Sequence, residues 1–131
     1  MSTTIAKYYS DELDDWENSI DFYDQEALEL GMKLAEVIER DSIPHIADRV
    51  EEQQGKIDLT GKKFKRLALE IIKQRNALMP GNSLIDDEFI NAEIEEKQAL
   101  LRRRMKQTEK QYIDSKYACA DFLSGILKKN Y

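Results

Sequence analysis

Helix-breaking residues are scarce in this chain. Five glycines and two prolines in 131 residues leave few places for turns, which argues against many short strands and for a few long elements. There is one cysteine, so no internal disulfide can form, and a reducing, cytoplasmic setting is the expectation. One histidine excludes sites that need two, such as the paired Glu-x-x-His ligands of di-iron bundles. No stretch of 18 apolar residues occurs, and residues 1–9 carry no apolar signal-peptide core; neither a membrane span nor an export signal is expected. Gly-x-x-x-x-Gly-Lys, Gly-x-Gly-x-x-Gly and Gly-x-Ser-x-Gly motifs are missing as well. With no catalytic or cofactor motif, the reading is of a non-enzyme without a cofactor.

Charge and regular apolar spacing are abundant. Charged residues make up 35% of the chain and apolar ones 41%, a mixture that suits amphipathic helices better than disorder. Leu13, Trp16, Ile20, Tyr23, Ala27, Leu30, Leu34 and Val37 step by three and four. A second series runs Ile43, Ile46, Val50, Gln53, Ile57, Thr60, Phe64, Leu67, Ile71, Gln74 and Leu78, and a third runs from Ile94 through Gln98, Leu101, Met105, Thr108, Tyr112, Ser115, Cys119 and Phe122 to Ile126. A strict seven-residue repeat marks helices packed side by side. The breakers fall at Asp41-Ser42-Ile43-Pro44, where Ser42 can cap a helix with Pro44 in its first turn, and at Pro80-Gly81-Asn82-Ser83. The prediction is one all-α domain over residues 1–131: an elongated antiparallel bundle of three long helices at about 4–40, 43–79 and 85–128, packed like a coiled coil. Gly55 and Gly61 bend helix two or, in the alternative, break it and give four helices. Phe64, Leu67, Ile71, Leu30, Leu34, Val37, Ile20, Leu101 and Tyr112 are expected in the core.

The pattern Trp16-x-Asn18-x-Ile20-x-Phe22-Tyr23-x-x-Glu26, followed by Leu34-x-Glu36-Val37 and Glu51-x-x-Gln54, resembles a group of small uncharacterised helical-bundle proteins, mainly from Bacteroidetes. The likeness covers about residues 12–57. It implies a helical hairpin in a bacterial, cytoplasmic protein and carries no site residues. A histidine found near the end of the second helix in that group has no counterpart here.

Candidate chemistry is thin. His45 has Asp41, Ser42, Asp48 and Arg49 as its helical neighbours, a poor ligand set, and is read as facing solvent. Cys119 lies on a seam and is read as a small buried hydrophobe. An all-carboxylate metal site using Glu26 and Glu29 is the alternative for a chain with so acidic a first helix. The run Arg102-Arg103-Arg104 raises a third possibility, nucleic-acid binding, which the net charge of −6 disfavours. Its bland reading is internal. Residues 11–29 hold nine acids and no Lys or Arg. A residue n on helix one is expected opposite about 83 minus n on basic helix two, and beside about n plus 81 on helix three. That register would set the arginines against the acidic helix and favour complementarity within the chain.

The leading functional expectation is therefore a helical interaction or scaffold protein whose partner is another protein. Leu28, Met32 and Ala35 form a second apolar stripe on helix one that can accept a partner helix. An offset of 81 would leave Phe122, Leu123, Ile126, Leu127 and Tyr131 beyond the first turn, an uncovered patch that predicts a homodimer.

Overall fold

The structure is a computed structural model that describes residues 3–40 and 43–129, with side chains through Ile126. It is an all-α three-helix bundle: α1 is Thr4–Arg40, α2 is Ile46–Leu78 and α3 is Ala92–Lys129, with a 3-10 turn at Asp87–Phe89. α2 passes through Gly55 and Gly61 without interruption, so the four-helix alternative does not apply. A methyl built on either glycine meets nothing within 4 Å, so neither marks a close contact that would deform the helix.

Two helix starts differ from expectation. α2 begins at Ile46 rather than at residue 43. A residue preceding proline avoids the α region, and His45 adopts φ 63°, a left-handed conformation open to histidine. The chain thus turns through Ile43–His45 before helical hydrogen bonding starts. The proposed Ser42 cap lies outside the described residues. α3 begins at Ala92, seven residues later than expected. Asn91 is the reason: its Oδ1 accepts a hydrogen bond from the Ile94 amide at 2.9 Å, a side-chain N-cap. The residues ahead of it do other work. Asp87 Oδ1 accepts hydrogen bonds from the amides of Ile5 and Ala6 at 3.0 and 3.1 Å, satisfying unpaired donors at the start of α1.

Backbone packing divides the chain into two compact units, Met1–Asp21 with Phe64–Gln107, and Phe22–Lys63 with Thr108–Tyr131. In the first, Leu13, Ile20, Phe64, Leu67, Ile71, Leu78, Leu101 and Met105 are buried. So is Ala6, which extends the α1 seam one heptad back. In the second, Leu30, Leu34, Ile46, Val50, Ile57, Cys119 and Ile126 form the core, with Ala27, Val37, Ile43, Phe122 and Leu123 packed against it. Val37 is only partly buried; the other expected core residues are buried as predicted. No helix among the described residues is long and apolar enough to cross a membrane.

Candidate functional site

The polar seam residues find each other. In the first unit buried Gln74 donates through Nε2 to Gln98 Oε1 at 3.0 Å and to the Ile94 carbonyl at 2.9 Å. Gln98 in turn donates to the Tyr9 carbonyl and to Glu12 Oε1, each at 3.1 Å. Arg102 closes the layer with two bonds to Glu12, Nε to Oε2 at 2.7 Å and Nη2 to Oε1 at 2.6 Å. That hydrogen bonding outweighs desolvation and holds the Arg102 guanidinium above its ordinary range. Arg75 bridges Glu17 at 2.8 Å and Asp14 at 3.0 Å; burial works against its charge, but the two acids raise its pKa overall. Glu70 pairs with Lys97, and with Lys73 at 3.5 Å. The hydrogen bond from Lys97 holds the Glu70 carboxyl below the usual range.

These pairs correct the expected register. Partners on α1 and α3 differ by 86 to 90 residues, not 81, because the chain spends residues 84–91 before α3 begins. Asp14 and Glu17 meet Arg75, whereas the expected spacing put them near residues 69 and 66. Lys97 pairs with α2, not with the acidic helix. Of the three arginines, Arg102 alone has an acidic partner among the described residues. Arg103 and Arg104 are exposed, and neither has an ion-pair partner among the described residues.

In the second unit two tyrosines hold two glutamates. Tyr23 donates to Glu109 Oε2 at 2.6 Å, and buried Tyr112 donates to Glu26 Oε1 at 2.8 Å. Lys116 meets the other Glu26 oxygen at 2.8 Å. The rings lie 5.0 Å apart. Burial first, and the accepting carboxylates second, push the Tyr23 phenol up to about 12 and the Tyr112 phenol higher still. Glu26 thus has both oxygens engaged, and Glu29 is exposed. Among the described residues no three His, Cys, Asp or Glu side chains come together in a way that could hold a metal ion. Cys119 is fully buried, and burial pushes its thiol pKa up, the opposite of what a nucleophilic thiol needs. His45 is exposed, with Nδ1 3.9 Å from Asp48 Oδ2.

The candidate interaction residues divide into two groups. Leu28 is 62% exposed and Met32 63%, and Ala35 is exposed beside them. Ile38, at 43%, extends the stripe by three residues and was not foreseen. The C-terminal group is different. Ile126 is 3% exposed in the core of the second unit, with Phe122 and Leu123 packed against that core, and the Arg49 guanidinium covers the Phe122 ring at 5.2 Å. The length argument for an uncovered patch therefore falls for these three: the larger α1–α3 offset gives them partners within the chain. The side chains of Leu127 and Tyr131 lie outside the described residues.

A groove of about 520 Å³ in the first unit is lined by Ile85, Phe89 and Ile94 with Glu70, Lys73 and Lys97 at its charged edge. Its cations are already paired with Glu70, and it presents no converging set of reactive groups. Sequence reasoning missed it because its walls depend on the path of residues 84–91. Comparison with protein-family models, with curated proteins and with solved structures finds no significant match.

Proposed function

We propose that this is a non-enzymatic helical interaction protein whose partner is another protein, bound through the α1 stripe of Leu28, Met32, Ala35 and Ile38. One observation carries the reading. These residues follow helical spacing and stand in water on a helix whose opposite face is already buried, and contiguous apolar exposure on a folded surface marks interfaces. Glu12, Glu26, Glu70, Arg75, Arg102 and the Tyr23 and Tyr112 phenols are engaged with one another or with neighbouring charges, which favours binding over chemistry. The likeness of residues 12–57 to bacterial helical-bundle proteins agrees with a cytoplasmic setting, and that assignment belongs to the same proposal.

Affinity capture from the native cell with the wild-type chain and with the Leu28→Glu/Met32→Glu variant tests the reading. Both sites are exposed, so the variant keeps the wild-type melting temperature to within about 0.5 kcal/mol of stability. The wild type retains a stoichiometric partner that the variant loses. Equal recovery by both removes the stripe from consideration. A second copy of the chain as the retained partner would establish the homodimer by this surface instead of the C-terminal one. Stoichiometric iron, manganese or zinc in the purified protein would support the carboxylate-site alternative.

A further inference from the structure

Three arginines of α2 and α3 have no acidic partner among the described residues. Within the first unit, α2 from Phe64 to Asn76 contains a single acid, Glu70, and α3 from Lys97 to Gln107 contains none. Glu70 is engaged by Lys97 and Lys73, and Glu12, Asp14 and Glu17 of α1 are taken by Arg75 and Arg102. Arg66, Arg103 and Arg104 are exposed, and none has an acidic partner among the described residues. The contacts Glu70–Lys97 and Gln74–Gln98 fix the antiparallel pairing of α2 and α3 and bring Arg66 level with Arg104. Leu69, three residues beyond Arg66 on α2, is 62% exposed. The α2–α3 pairing thus sets three exposed guanidinium groups with no acidic partner among the described residues, and an exposed leucine, at one level of the first unit, on a chain of net charge −6.

We infer that this face docks an acidic, amphipathic helix of a partner protein. A guanidinium grips a carboxylate through two parallel hydrogen bonds, and Leu69 offers the apolar contact that such a helix uses and a phosphate backbone does not. Among the described residues of the first unit the exposed aromatic side chains, Tyr8 and Phe89, lie on α1 and in the 3-10 turn and not among the cations of α2 and α3, where a stacking platform for bases would place them. The net negative charge repels a dense polyanion at long range more than a helix with a few glutamates. This inference concerns different residues from the α1 stripe and stands or falls without it.

The probe is a synthetic helical peptide with leucine on one face and glutamate flanking it, measured by calorimetry at low and moderate salt. A glutamine-for-glutamate peptide and a short DNA duplex serve as comparisons. The glutamate peptide binds, and its affinity falls as salt rises. The triple variant Arg66→Ser/Arg103→Ser/Arg104→Ser loses on the order of tenfold in affinity while melting like the wild type. Leu69→Ser also weakens binding, and Leu28→Glu/Met32→Glu leaves it unchanged. No binding at low salt, full binding by the triple variant, or tighter binding of the duplex than of the glutamate peptide would each overturn the inference.

Discussion

Gln98 and Gln53 both occupy seam positions, yet they stand in opposite circumstances. Gln98 is fully buried and bonded to Gln74, Glu12 and the Tyr9 carbonyl. Gln53 Oε1 is buried with no hydrogen-bond partner among the described residues. Replacing Gln98 by Leu takes from buried Gln74 one of its two acceptors and sets Glu12 against an apolar neighbour, so it costs about 1–3 kcal/mol; Gln53→Leu is neutral or stabilising. Chemical denaturation of the two variants checks the contrast, and equal losses would contradict the assigned bonding. The tyrosines set the alkaline limit. Their raised folded pKa values mean that the folded state holds its phenol protons more tightly than the unfolded chain. The stabilisation is complete below the ordinary tyrosine value of about 10 and is lost as pH climbs toward about 12 for Tyr23. A Tyr23→Phe/Tyr112→Phe variant therefore shows a flatter loss of melting temperature above pH 10 than the wild type. Neither phenol pair was legible in the sequence, because each joins residues 86 apart and depends on register.

At the scale of the elements, periodicity revealed the seams and missed the loops. Most heptad positions named from spacing alone are buried and the rest, half of the α1 series among them, are partly buried, because a seven-residue apolar repeat has few other uses. The start of α3 was not legible in the same way. The expected helix took in residues 85–91, whereas Asn91 caps the helix downstream of them and Asp87 reaches the start of α1. Asp87→Ala removes an acceptor shared by two amides and costs about 1 kcal/mol, a fall of a few degrees in melting temperature. Gly55→Ala and Gly61→Ala act in the other direction. Each lies inside α2 with open space around a new methyl and gains about 0.5–1 kcal/mol. Unchanged melting in the glycine variants would mean that α2 is not helical there in solution.

For the molecule as a whole, the long acidic stretch of α1 and the basic stretches of α2 and α3 complement each other only in part. Glu12, Asp14 and Glu17 hold Arg102 and Arg75, while Arg66, Arg103 and Arg104 have no acidic partner among the described residues. The question of what the arginine run does thus has two answers, one for each kind of position on the helix. Sequence reading supplied the helices and the exposed α1 stripe; one error of register left Phe122, Leu123 and Ile126 uncovered, whereas the split among the arginines follows from helix face, because adjacent positions point in different directions. Leu67→Asp places a charge in the buried first-unit core and abolishes folding, visible as loss of the helical circular dichroism signal.

The central claim is that α1 between Leu28 and Ile38 meets a partner protein in the cell. Site-specific photocrosslinking tests it directly, with a benzophenone side chain at Met32 and, as control, at exposed Glu52 on α2. A discrete cross-linked protein at Met32 that is missing at Glu52 is the predicted result. No adduct at Met32, or the same ladder of adducts at both positions, would contradict it.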